Sequence, residues 1–262
     1  MLRIIGDVRG HFKLRLYVRR ILMSPGSRVA PYATTVTRLI LWDVDHTLIE
    51  NSGVSKDIYS AAFRLLSSVE AFIPAVTNGK TDRLIMRDMF KSNDVATPAW
   101  PLIEAALAAA GIGNQENLKR RGYILPGAIP ILESLEAAPD VVQTVVTGNI
   151  RQNAMLKLST FGLDPFFNFA TGGYGADSEA RDELVRLARI RSEEFYDSCF
   201  SAANTIVIGD TPRDVLAAHL GGARIVAVAT GRDSEADLRA AGADVVVPDL
   251  GNSEATLKLI LE

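Results

Sequence analysis

From residue 38 onward the chain alternates short apolar, β-branched runs with stretches of helical periodicity, and this rhythm restricts the fold more than any other feature. Six runs are predicted as strands: Leu39–Asp43, Val141–Thr147, Phe167–Thr171, Thr205–Gly209, Arg224–Ala229 and Asp244–Val247. Helical stretches lie between most of them. NIRQNAMLKLSTFG stops at Gly162, and SEARDELVRLARI spaces Leu184, Val185, Leu187 and Ala188 along one face. TPRDVLAAHLGG opens with Thr211 as cap and Pro212 as first helical residue, then stops at Gly221. Such alternation predicts an α/β fold with a parallel sheet covered by helices on both faces.

One connection breaks the rhythm. Between Asp45 and the strand at Val141 lie roughly 90 residues without a convincing strand, far more than a usual strand-to-helix link. SKDIYSAAFRLLSSVEAF places Ile58, Ala62, Leu65, Val69 and Phe72 at three-to-four spacing, TDRLIMRDMF follows Thr81, and PAWPLIEAALAAAG runs to Gly111. These predict a helical insert over 54–124, set into a core made of 38–53 and 125–262. Trp100 and Phe72 are expected in the core of the insert.

Residues 1–37 stand apart as an N-terminal extension. Through residue 38 the chain carries eight Lys and Arg but only Asp7 as an acid. A transit segment, a start placed too early with Met23 as the true beginning, and a surface extension all fit this composition. Elsewhere the balance is ordinary, with 48% apolar and 23% charged residues. A net charge of −3 offers no basic field for nucleic acid, and no apolar run reaches the length of a membrane span. The single cysteine, Cys199, excludes an internal disulfide and reads as a small core residue. The expectation is a soluble chain of a reducing, cytoplasmic compartment, a monomer or homodimer.

In open parallel sheets, ligands bind beyond the carboxyl ends of the strands. There the first strand delivers Asp43 and Asp45, the Val141–Thr147 strand delivers Thr147, Gly148 and Asn149, and the Thr205–Gly209 strand delivers Asp210, Thr211 and Asp214. Four carboxylates at one edge repel unless a cation sits among them, and a hard oxygen-ligated ion such as Mg²⁺ suits the set. Asp43, leaving a strand end, is placed to attack phosphorus, and Asp45 to exchange a proton with the leaving oxygen and then with water. The Thr147 hydroxyl and helix N-terminal amides are placed to hold phosphoryl oxygens.

In this order, DVDHT, VVTGN and IGDTPRD resemble the motifs of the haloacid dehalogenase-like hydrolase superfamily, and the resemblance covers nearly all the chain after residue 38. It implies a Rossmann-like core with an all-helical cap inserted after the first strand. It also implies a Mg²⁺-dependent phosphatase acting on a small phosphorylated metabolite. In that likeness Asp43 is the nucleophile and a metal ligand. Asp45 is the acid/base, with its backbone carbonyl on the metal. Thr147 binds the phosphoryl group, Asp210 holds Mg²⁺, and Asp214 supports it. The superfamily's lysine at the head of a helix is replaced: ARDELVRLA puts Arg181 there, a fixed planar fork instead of a point charge. Lys157, on the helix after the second motif, is the alternative. GKTD, Gly79 to Asp82, resembles a segment of phosphoglycolate phosphatase-like members that contacts substrate, so Gly79, Lys80, Thr81 and Asp82 join Thr147, Gly148 and Asn149 as expected substrate contacts.

Simpler readings compete at several positions. Asn149 is also a common helix cap, and His46, where many relatives carry glycine, fits a residue that merely tolerates a turn. His219 reads as structural, and Gly172, Gly173 and Gly175 as a flexible turn without the lysine and hydroxyl of a P-loop. Other functions compete as well. A phosphomutase would keep the same carboxylates, and a phosphonatase would need a cap lysine, for which Lys56 is available. A dehalogenase would have no use for Asp45. A signalling receiver domain lacks the long insert, and a non-catalytic binding protein would have no need to keep every carboxylate.

Overall fold

The computed structural model describes residues 37–262, so the N-terminal extension lies outside the described residues. Six strands form one parallel sheet: β1 (Arg38–Trp42), β4 (Val141–Thr147), β5 (Gly173–Tyr174), β6 (Thr205–Gly209), β7 (Arg224–Val228) and β8 (Val245–Val247). Their order is β5-β4-β1-β6-β7-β8. β1 is central, with Trp42 level with Val145 on one side and Ile208 on the other.

Both faces of β1 are buried, which is why its sequence is an unbroken apolar run. Ile40 and Trp42 enter one core with α5 (Ala128–Ala137), α6 (Arg151–Thr160) and α10 (Ser253–Leu261). Leu39 and Leu41 enter the other with α7 (Arg181–Tyr196), α8 (Pro212–Leu220) and α9 (Glu235–Ala240). The buried Trp42 indole N–H is satisfied by donating to Gln143 Oε1 at 3.0 Å.

Between β1 and β4 stands a third apolar core. It is built by α1 (Val54–Ser67), α2 (Asp82–Ser92), α3 (Trp100–Gly113) and α4 (Gln115–Arg121). Phe63 of α1 and Phe90 of α2 meet at 4.8 Å between ring centroids, a contact worth about 0.5–1.5 kcal/mol beyond the area it buries. The segment predicted to lack strands does contain two of them. β2 (Ile49–Glu50) and β3 (Tyr123–Ile124) pair antiparallel where the helices join the sheet. Two residues each are too few to carry a readable alternation.

Four other expectations are corrected. Phe167–Thr171 is not a strand: it turns, with Thr171 N–H donating to Asn168 O, and pairing with β4 begins only at Gly173. A Cβ at Gly173 would lie 2.1 Å from Leu184 O, so the missing side chain lets α7 pack directly on this strand. The flexible turn expected at Gly172–Gly175 is therefore partly strand. Helix α1 stops at Ser67 because Ser68 takes the left-handed conformation (φ 61°). Leu65 and Val69 are consequently exposed, and Phe72, expected in the insert's core, is 94% exposed. Cys199 is exposed, and its neighbour Phe200 takes the core position. Among the described residues no helix is long and apolar enough to cross a membrane.

Candidate active site

β1 ends at Trp42, and the Asp43 N–H still donates to Ile208 O of β6 at 2.8 Å. The Asp43 side chain is thereby fixed, buried, at the carboxyl edge of the central strand. The chain then turns through residues 44–49, closed by His46 N–H to Ile49 O at 2.7 Å. His46 holds φ 61° here, and its ring Nδ1 lies 2.8 Å from Glu50 Oε2, which gives a non-glycine residue a partner in the strained position.

Two further carboxylates arrive after β6. Asp214 sits at the third position of α8 in a reciprocal cap, accepting from the Thr211 N–H at 3.0 Å and its hydroxyl at 2.6 Å. Asp210 lies just before it. Oxygen atoms of Asp43, Asp210 and Asp214 all fall within 4.8 Å of one another, and all three residues are buried. Arg181, the first residue of α7, reaches in among them. Its Nη2 is 2.9 Å from Asp43 Oδ1 and 2.5 Å from Asp214 Oδ1, and its Nε donates to Asp214 at 2.7 Å. Lys157 does not take that place.

One guanidinium does not balance three carboxylates. Burial raises the Asp43 carboxyl above its ordinary value. Arg181 opposes the rise, and Asp214 and Asp45 add to it. Asp210 is raised further by burial and by its neighbours Asp214 and Asp43. An all-oxygen set carrying surplus negative charge is what a divalent hard cation neutralises, so these residues fit Mg²⁺.

Asp45 belongs to a different group. Lys157 Nζ lies 2.9 Å from its Oδ1 and 2.6 Å from its Oδ2, Asn51 Nδ2 donates to Oδ1 at 2.8 Å, and Asn149 Nδ2 donates to Oδ2 at 2.8 Å. Burial pushes this carboxyl up, but the charge and hydrogen bonds of Lys157, together with Asn149, bring it down to about 2. The Asp45 carboxylate, expected as the acid/base group, is thus bound to an ammonium and stands apart from the cluster of Asp43, Asp210 and Asp214. Asn149 does not cap a helix: it bridges Asp45, Thr147 Oγ1 (2.8 Å) and Lys157 (2.7 Å).

The GKTD segment divides. Gly79 and Lys80 line the cavity above Asp43, whose volume is about 250 Å³; Gly148, Thr147, Asn149 and Tyr59 contribute to the walls. Thr81 and Asp82 do not line it. Their side chains are buried and spoken for. Thr81 caps α2 by accepting from Leu84 N–H, and it donates to Glu179 O. Asp82 accepts from the Tyr59 hydroxyl at 2.6 Å and the Ile150 N–H at 2.8 Å. The Asp82 N–H in turn donates to Gly148 O at 2.7 Å. Only glycine permits this approach, since a Cβ at Gly148 would stand 2.3 Å from Lys80 O. The expected substrate contacts at Thr81 and Asp82 are thus replaced by a structural tie between α2 and the loop after β4.

Sequence reasoning missed Asn51, Ser55 and Tyr59, and it considered Lys157 only as a substitute for Arg181. The one available signal for Lys157 was a lone cation between the buried positions Ala154 and Leu158 of α6.

Residues 169–253 match the HAD-hydrolase-like family model. No curated protein matches the chain. Among solved structures, a predicted phosphatase from Clostridium acetobutylicum superposes with a TM-score of 0.61 at 16% identity, covering 87% of this chain and 99% of that one. A predicted phosphoglycolate phosphatase from Haemophilus somnus gives 0.57 at 16% identity, covering 86% and 99%. A haloacid dehalogenase-like family hydrolase from Streptococcus pneumoniae gives 0.56 at 18% identity, covering 85% and 99%. With these likenesses and the family match over its C-terminal third, the chain has the fold of the haloacid dehalogenase-like hydrolases.

Proposed function

We propose that this protein is a Mg²⁺-dependent phosphatase that hydrolyses a small phosphomonoester through an aspartyl-phosphate on Asp43. The observation that carries the reading is the meeting of Asp43, Asp210, Asp214 and Arg181 beneath a cavity of about 250 Å³. That volume suits a small metabolite.

Asp43, Asp210 and Asp214 would hold the ion, which when bound neutralises phosphoryl charge. An Asp43 oxygen attacks phosphorus while the bond to the ester oxygen breaks, and the phosphoryl group passes to the carboxylate. Arg181, 2.9 Å from Asp43, faces the charge that develops on the transferring group. The Thr147 hydroxyl, whose oxygen accepts from Asn149, keeps its proton free to donate to a phosphoryl oxygen. The proton that reaches the leaving oxygen passes through Asp45, held in place by Lys157, and the proton Asp45 later takes from water replaces it. In the second half, water attacks phosphorus, Asp45 takes its proton, and the bond to Asp43 breaks to release phosphate. A carboxyl drawn down to about 2 is in the ionised form this last step uses.

The test is phosphate release from a panel of sugar phosphates, phosphoglycolate and nucleotides, with Mg²⁺ and with a chelator. Release is expected only with Mg²⁺, and Asp43→Asn is expected to abolish it. An Asp43→Asn variant as fast as the wild type would overturn the reading. Isomerisation of labelled substrate without phosphate release would mark a mutase instead.

A further inference from the structure

Outside the metal set, Lys157 is a buried lysine, 1% exposed. Four polar atoms surround its ammonium: both oxygens of Asp45, Ser55 Oγ at 2.8 Å and Asn149 Oδ1 at 2.7 Å. The three donor protons of an ammonium are all occupied by this set. Ser55 belongs to the first turn of α1, whereas Lys157 and Asn149 belong to the core helix α6 and the loop that leads into it. Asn51, just ahead of α1, completes the group: its Nδ2 donates to Asp45 Oδ1, and its Oδ1 accepts from Gly53 N–H. Asp45 is therefore gripped from the core side by Lys157 and Asn149, and from the cap side by Asn51 and by Ser55, whose hydroxyl oxygen lies 2.8 Å from Lys157 Nζ and 3.5 Å from Asp45 Oδ1.

The geometry points to Lys157 as a positioning residue: its ammonium aims the Asp45 carboxylate and couples that aim to the seating of α1 on the core. The inference rests on Asp45 being the proton-transfer group of the proposed phosphatase. A buried ammonium serves this end better than a neutral donor because it bonds both carboxylate oxygens at once, which fixes the rotation of the carboxylate as well as its position. It also explains why a lysine is buried in α6 at all, since an ammonium without such partners would be strongly disfavoured there.

Proton transfer matters most where the leaving group is a strong base, and this separates aiming from mere support of the fold. In Lys157→Met, kcat/KM for an alkyl phosphate such as ethyl phosphate is expected to fall about 100-fold, the usual size of a lost proton-transfer contribution. For p-nitrophenyl phosphate, whose leaving group departs without a proton, the fall is expected to be less than about fivefold. Ser55→Ala leaves the Lys157–Asp45 pair in place, so it keeps the chain folded. It should show the same selective loss at about threefold, the effect of one hydrogen bond. The tie to α1 has a readout independent of activity: amide hydrogen exchange at residues 54–58 is expected to quicken in both variants. Equal losses on the two esters, or unchanged exchange at 54–58, would overturn the inference. A wild-type protein that releases phosphate from neither ester would defeat the phosphatase reading alone, and the exchange measurement would still decide the tie.

Discussion

Arg181 grips Asp214 with two nitrogens, Nε at 2.7 Å and Nη2 at 2.5 Å, and the same Nη2 stands 2.9 Å from Asp43. One fork thus spans Asp43 at the end of β1 and the carboxylate that caps α8. A lysine offers a single ammonium and can satisfy only part of this geometry. Arg181→Lys is expected to lower kcat/KM by roughly 10- to 100-fold, about 1.4–2.7 kcal/mol of transition-state stabilisation. Arg181→Ala leaves two buried carboxylates without their counter-charge and is expected to lose about 3–5 kcal/mol of stability. Urea unfolding with and without Mg²⁺ checks both parts, because added cation should restore some of the loss in Arg181→Ala. An alanine variant as stable as the wild type in chelator would contradict this account.

The surplus negative charge around Asp210 gives a second expectation. Burial and the neighbouring Asp214 and Asp43 hold its carboxyl well above the ordinary range, so ionising it is unfavourable until a cation arrives. Mg²⁺ at about 100 times its dissociation constant should stabilise the folded protein by about 2.7 kcal/mol. For a chain of this size that is a rise of about 5–10 °C in Tm. Asp210→Asn should abolish most of the rise. Melting curves in Mg²⁺ and in chelator that coincide for the wild type would remove the case for a cation at this edge.

Asp43, Thr147 and Asp210 were legible because each follows directly on an apolar run that can only be a sheet strand, and strand ends are where such a sheet presents chemistry. Asp214 was legible because it falls in the first turn of a helix with clear start signals, and Arg181 because the resemblance placed it where the superfamily carries its helix-leading lysine. What stayed hidden depended on pairing across the chain. Lys157 and Asp45 are 112 residues apart, and the periodicity of α6 gives the face Lys157 occupies but not what that face meets. The strand expected at Phe167–Thr171 is misplaced because Phe167 and Phe169 look like strand residues, while the chain there makes a turn and its ladder with β4 runs through Gly173 and Tyr174. Thr81 and Asp82 read as substrate contacts only through the resemblance of GKTD to a substrate-contacting segment of phosphoglycolate phosphatase-like members. Their partners, Glu179 and Ile150, are close only in the folded chain.

The approach of Gly148 to Lys80 can be tested with one methyl group. In Gly148→Ala the new Cβ would lie 2.3 Å from Lys80 O, a backbone atom that cannot swing aside as a side-chain tip could. Residues 79–82 must then shift, and the Asp82 N–H to Gly148 O bond stretches or breaks. Overpacking of this kind costs about 1–3 kcal/mol. Activity should suffer more than stability, since the displaced residues include Gly79 and Lys80 of the cavity wall. An alanine variant with unchanged kcat/KM would show that the close approach is incidental to the site.

Asp82 gives a pH dependence of definite sign. Burial raises its carboxyl from 3.8 to about 6, although hydrogen bonds from Tyr59 and the Ile150 N–H pull the other way. Because the folded value lies above the unfolded one, the carboxyl favours the folded state fully below about pH 4. That contribution is lost as pH rises through about 6. The displacement corresponds to about 3 kcal/mol for a group this buried. Asp82→Asn does not ionise and lacks this slope, although it gives up one acceptor to Tyr59 or Ile150 and so begins less stable at low pH. Urea midpoints for the two proteins between pH 4 and 7 should therefore converge or cross, the difference moving by about 3 kcal/mol in favour of the asparagine variant. The subtraction removes the titration of Asp43 and Asp210, which both proteins share. Parallel stability curves would mean that Asp82 is already ionised at no cost in the folded chain, and that its two hydrogen bonds outweigh its burial.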